Sequence, residues 1–121
     1  MTESPIDPAA FANLVEITGG DLEFVDDLVD TYLTDGEQQV AALRAAAASR
    51  TGEDLVRPAH ALKSSSLNVG ALGLGALSRT LEEAARTGPV PDAVAQVDRI
   101  AAAFDDVRAA LLDERDRRPD A

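Results

Sequence analysis

The sequence predicts an all-α fold: an antiparallel four-helix bundle with an additional short N-terminal helix. Three observations carry that expectation. The composition is rich in alanine and leucine, with few aromatics and no tryptophan, which favours packed helices over a sheet. Apolar residues recur three and four positions apart through long segments, the spacing of one helix face. Capping and stop signals then divide the chain into five pieces, four of them long, with short connections between them. At 121 residues the chain is read as a single domain with one core, spanning about residues 7–112 between flexible termini.

Met1 to Ile6 reads as a loose leader. Asp7 is the N-cap of the first helix, and Pro8 takes its first position, where the missing N–H is no loss. This helix runs from Pro8 to Ile17 with Phe11, Leu14 and Val15 inward, and Gly19-Gly20 ends it. So short a helix is stable only when packed on the rest. Asp21 caps a second helix reaching about Ser49, in which Phe24, Val25, Leu28, Val29, Tyr32 and Leu33 recur at helical spacing and Val40, Leu43 and Ala47 continue the pattern. Gly36 marks a kink or short break.

Ser49-Arg50-Thr51-Gly52 is a turn, from which Thr51 or Gly52 starts the third helix, with Glu53 and Asp54 suited to its first turn. Pro58 removes one hydrogen bond inside it. The axis is expected to bend there rather than to begin near Arg57, because the apolar stripe is already in phase at Leu55. Gly70 closes this helix, and the segment to Gly73 leads into a fourth, which carries Leu74, Leu77 and Leu81 inward and stops at Thr87-Gly88-Pro89. Asp92 begins the last helix, with Val94, Val97, Ile100, Ala101, Phe104, Val107 and Leu111 inward and a charge-rich, frayed end, DERDRRPDA.

The formal net charge of −11 argues against nucleic acid and against an anionic membrane surface. No apolar run is long enough to span a bilayer and no signal-peptide pattern opens the chain, so a cytoplasmic location is expected. The absence of cysteine removes disulfides and thiolate zinc sites, and a single histidine argues against a histidine-based metal site. Asp26, Asp27, Asp30 and Asp35 read as a solvated acidic face rather than a metal site. The run GALGLG follows no strand and lacks phosphate-loop spacing, so it reads as a tight helix–helix turn.

Chemistry concentrates between Arg57 and Ala71, RPAHALKSSSLNVGA. On a helix, Arg57, His60, Lys63 and Ser64 share one stripe, while Leu55, Ala59, Leu62, Ser66 and Val69 form a second, mostly apolar stripe that faces a core. A lone helical histidine is more often idle than active. The active alternative is a nucleophilic imidazole, with one ring nitrogen held by a partner and the other free to attack. The run HALKSSSLNVGA resembles the signature of histidine phosphotransfer (HPt) domains, His-x-Leu-Lys-Gly-Ser-(4x)-Gly-Ala. His60, Leu62, Lys63, Gly70 and Ala71 match it, and Ser64 stands where glycine is commonest.

The resemblance covers nearly the whole chain and implies the same bundle. It implies that His60 takes a phosphoryl group from a receiver aspartyl-phosphate and passes it to another receiver aspartate, with no cofactor of the domain's own and magnesium supplied by the receiver. On charge alone, Lys63 would offset phosphoryl charge, with Ser64, Arg57 and Arg86 in the phosphate environment, although exposed arginines more often merely solubilise. The partners implied are response-regulator receiver domains, with a hybrid histidine kinase as a further candidate, and the protein is expected to act as a monomer. The resemblance also places the docking surface on the first helix and the start of the second, hence Phe11, Phe24, Leu28 and Tyr32, although such aromatics are more often core.

Glu82 enters through geometry. If the third and fourth helices form a hairpin turning at Ala71, His60 and Glu82, each eleven residues from that turn, lie side by side. The carboxylate then accepts from Nδ1–H and leaves Nε2 free. The family often has glutamine or glutamate at this distance; the plain alternative is that Glu82, like Glu83, is a surface glutamate. Two other functions compete: a helical protein-binding module with an idle His60, and a serine–lysine hydrolase. The latter fails because adjacent helical residues Lys63 and Ser64 point apart and no oxyanion donor is evident.

Overall fold

The structure is a computed structural model describing residues 5–48 and 52–116. Five helices follow in order: α1 Pro8–Ile17, α2 Leu22–Ala47, α3 Glu53–Asn68, α4 Leu72–Thr87 and α5 Ala93–Asp116, with no strand among the described residues. α3 packs on α2 and α4, and α5 closes the bundle against the same two helices, so α3 and α5 are diagonal. The long helices alternate in direction. Arg44 meets Asp98 at one end of the α2–α5 pair, and Arg115 meets Asp26 and Asp30 at the other.

The caps act as their chemistry requires. The Asp7 carboxylate accepts from the Ala10 N–H at 3.3 Å and Asp21 from Phe24 at 3.1 Å, each satisfying an orphan donor of a first turn. Gly70, at φ 86°, turns α3 into α4. The Ala71 N–H reaches back to the Ser66 carbonyl at 2.8 Å, and the Gly70 carbonyl accepts from Asp7 N–H, also at 2.8 Å. A side chain at Gly70 would press on the Asp7 carbonyl, so this turn is also where α1 is fastened to the bundle.

The apolar stripe of α3, from Leu55 through Ala59, Leu62 and Ser66 to Val69, is buried throughout. It meets Val25, Val29 and Tyr32 from α2, Leu74 and Leu81 from α4, and Val97, Ile100, Phe104, Val107 and Leu111 from α5 in one core. The Tyr32 hydroxyl and Ser66 Oγ pair at 2.9 Å inside it, so neither is left unsatisfied. Burial outweighs that bond and pushes the Tyr32 phenol up to about 12.

Several expectations are corrected. Gly36 is no break: α2 is continuous, and the missing side chain makes a niche for Phe104, whose ring an added Cβ would overlap. The start of α3 is not among them, since the helix begins at Glu53 after Gly52 and runs through a buried Pro58, as expected, rather than starting near Arg57. Gly73 lies inside α4, so the connection ends at Ala71. Val94 is 59% exposed rather than inward, because the buried face of α5 starts with Ala93 and Val97.

The final helix does not fray at residue 113. Residues 113–116 are helical, and Arg115 docks on α2, with Nη2 2.9 Å from Asp30 Oδ1 and Nε 3.3 Å from Asp26 Oδ1. The acidic face expected to be merely solvated is thus partly bridged, and these carboxylates, hydrogen-bonded Asp30 first, raise the Arg115 pKa. The first four residues of the expected leader, the 49–51 part of the turn with the Thr51 start, and the last five residues of the charged tail lie outside the described residues.

Candidate functional site

The close approach of α3 and α4 begins with a residue that is missing. At Gly75 an added Cβ would run into the Leu67 side chain, so glycine lets the two helices come together there. Seven residues back along α3 and seven on along α4, the same register brings His60 opposite Glu82. His60 Nδ1 lies 3.0 Å from Glu82 Oε2. The imidazole side chain is 53% exposed, whereas Glu82 is only 5% exposed as a residue. Leu81 and Ala85, buried on the same helix, turn Glu82 into the α3–α4 seam rather than out to water.

Three side chains converge on that carboxylate. Arg86, one turn on, donates through Nε at 3.0 Å and Nη2 at 2.7 Å to Oε2, the oxygen that also faces the imidazole. Lys63 Nζ reaches the other oxygen, Oε1, at 3.1 Å as an ion pair, not an aligned hydrogen bond. Burial alone would raise the Glu82 pKa, but Arg86, Lys63 and His60 together outweigh it and hold the carboxyl at about 2. Glu82 is therefore an anion at any physiological pH. Against a permanent acceptor the Nδ1–H tautomer is favoured, which leaves Nε2 with its lone pair.

The structure brings together four of the residues singled out in the sequence: His60, Lys63, Glu82 and Arg86. Lys63, expected to offset phosphoryl charge, is drawn to Glu82. Ser64 is exposed and its hydroxyl makes no hydrogen bond; Arg57 is exposed on the same side of α3. Of the four docking candidates, Phe11 and Tyr32 are core residues and offer a partner no side-chain surface. The general tendency of aromatics to be buried wins at both positions. Phe24 is 49% exposed and Leu28 half-buried.

Exposed apolar residues to which the sequence reading gave no role are Ile17, Leu22, Leu67, Leu72 and Leu112. Leu67 carried a usable signal, since it lies seven residues, two turns, beyond His60 and so shares its face. Among the described residues no group of three or more His, Asp or Glu is placed to hold a metal ion, and no helix is long and apolar enough to cross a membrane.

The family model of the Hpt domain matches residues 27–110. The crystal structure of histidine-containing phosphotransfer protein B from Pseudomonas aeruginosa PAO1 is similar at 30% identity and a TM-score of 0.86, over 98% of this chain and 100% of that one. No curated protein matches the chain.

Proposed function

The chain belongs to the Hpt domain family, and from that premise we propose that it is a cytoplasmic, monomeric phosphorelay intermediate whose phosphoryl carrier is His60. In the forward step, Nε2 of His60 attacks the phosphorus of a receiver aspartyl-phosphate. The P–Nε2 bond forms as the P–O bond breaks, and the aspartate leaves as its carboxylate. In the onward step another receiver aspartate attacks the same phosphorus and Nε2 departs with its electron pair. Nδ1 keeps its proton throughout, so the phosphorylated ring is cationic and Glu82 faces it as a counter-ion.

The observation that carries this reading is the 3.0 Å pairing of His60 Nδ1 with a buried, permanently ionised Glu82. It orients the ring, selects the tautomer and supports the charge that transfer places on it. Lys63 and Arg86 hold Glu82 in place and stand beside the incoming phosphoryl oxygens. The domain needs no catalytic apparatus beyond this, because the receiver contributes the aspartate and the magnesium ion. A response-regulator receiver, free or as part of a hybrid kinase, is the partner this chemistry requires.

The decisive experiment exposes the protein to phosphorylated receivers and asks for an acid-labile, base-stable phosphate. Wild type is expected to gain it and His60→Gln to gain none while keeping native helicity, because no other imidazole exists in the chain. Equal uptake by the variant ends the proposal.

A further inference from the structure

Arg57 stands apart from the other cations near the imidazole. Lys63 and Arg86 both close on Glu82. Arg57, exposed and three residues before His60 on α3, has neither a hydrogen bond nor an ion pair. Carboxylates are at hand, since Glu53 and Asp54 lie four and three residues before it, the spacing at which helical ion pairs form. Arg99 is the other cation without a partner among the described residues, but it belongs to α5, diagonal to α3.

The register of the hairpin says where Arg57 sits. Four residues back from His60 and four on from Glu82, Val56 stands opposite Arg86, so Arg57 and Arg86 share a level on the α3 N-terminal side of the imidazole. Helical side chains lean toward the N-terminus of their own helix, so the His60 ring leans over the turn that carries Arg57. Side chains three apart start about 5–6 Å from each other, well within the reach of an arginine stem.

Charge points the same way. A phosphoryl group on Nε2 brings about two negative charges at neutral pH. The cationic ring, Lys63 and Arg86 all face the Glu82 carboxylate, so Arg57 is the cation on this face of α3 whose charge no carboxylate offsets.

Resting on the reading of His60 as carrier, we infer that Arg57 contacts the phosphoryl group. Its guanidinium takes two phosphoryl oxygens in the planar fork that suits such anions, while Lys63 and Arg86 stay with Glu82. In the free protein the fork is held ready because no carboxylate occupies it.

Phosphoramidate, a small donor with no docking surface, separates contact from docking. In that reaction the P–N bond of the zwitterionic donor breaks as P–Nε2 forms, ammonia leaves with its three hydrogens, and Nδ1 keeps its proton against Glu82. Arg57→Gln is expected to slow labelling of His60 about three- to fivefold, the range of an exposed ionic contact. Arg57→Lys should recover part of the rate, and Arg99→Gln should match wild type. Labelling of Arg57→Gln as fast as Arg99→Gln overturns the inference. So does normal labelling by phosphoramidate with slowed transfer from a phosphorylated receiver, which would make Arg57 a docking residue. A wild type that takes no phosphate on His60 from either donor sinks the carrier reading itself.

Discussion

The α2–α5 and α3–α4 seams are built from the same parts and put them to different use. Each has a glycine that admits a facing side chain, Gly36 for Phe104 and Gly75 for Leu67. Each is crossed by contacts between basic side chains and carboxylates. Along α2–α5 the pairs are spread out, with Arg44 on Asp98 and Arg108 on Glu37 mostly exposed and worth little each, and Arg115 on Asp26 and Asp30 at the far end. Along α3–α4 a single buried carboxylate gathers Lys63, Arg86 and the imidazole. Charges scattered along a seam fasten helices, whereas charges focused on one buried anion beside a half-exposed imidazole suit the transfer proposed for His60.

The glycine pair is where the two seams should separate most sharply. Gly36→Ala forces a methyl into the fully buried Phe104 ring and is expected to cost about 1–3 kcal/mol, as overpacking of a core does. Gly75→Ala meets the tip of an exposed, flexible leucine and should cost less than about 1 kcal/mol. Denaturant unfolding of both variants measures this. Phosphotransfer should respond the other way round, unchanged in folded Gly36→Ala and slowed in Gly75→Ala, because only the latter alters the spacing beneath His60. Equal stability losses would dissolve the contrast between the seams.

Glu82 and Glu83 offer a finer test, being neighbours on one helix with opposite settings. Glu82→Ala is expected to shift the His60 tautomer balance away from Nδ1–H and to slow transfer at least tenfold, since the ring loses its orienting partner. Glu83 pairs only with exposed Arg79, and Glu83→Ala should leave the ring and the rate unchanged. Nitrogen-detected NMR with transfer assays reads both effects. Stability against pH adds a second measure. The Glu82 carboxyl is lowered from 4.5 to about 2 in the fold, so its pairing stabilises fully above about pH 4.5 and is lost as pH falls toward 2. Glu82→Gln should remove that portion of the acid limb, and an unaltered limb would place the carboxyl's pKa near its ordinary value.

Lys63→Ala should give a smaller change than Glu82→Ala, slowing transfer in both directions by about fivefold at unchanged receiver affinity. Because the ammonium helps hold Glu82 ionised, the acid limb of this variant should also move up in pH. A collapse of receiver binding with an unchanged transfer step would reassign Lys63 to docking.

Local signals in the sequence were enough for the helices, because each depends on neighbours within a few residues. Asp7, Asp21 and the glycines after α1, α3 and α4 mark boundaries that the structure reproduces closely. The pairing of His60 with Glu82 was also legible, since a tight turn at Ala71 makes equal sequence distances equal heights. That arithmetic places a residue but not its surroundings. Whether Glu82 is buried, which cation takes which of its oxygens, and why Arg57 keeps none depend on how side chains from two helices fill a shared seam.

The same limit explains the reversals. Gly36 looks like a breaker when α2 is considered alone, and becomes a niche only when α5 brings Phe104 against it. Phe11 and Tyr32 look available until α1 folds onto the turn at Gly70 and Ser66 pairs with the phenol. Sequence by itself therefore determined the five helices, most of their inward stripes and the placing of His60 opposite Glu82, all set by spacing along one chain direction. The tertiary structure alone decided the burial of Glu82 and the sharing of charge around it, because desolvation and ion pairing depend on distances between segments far apart in sequence.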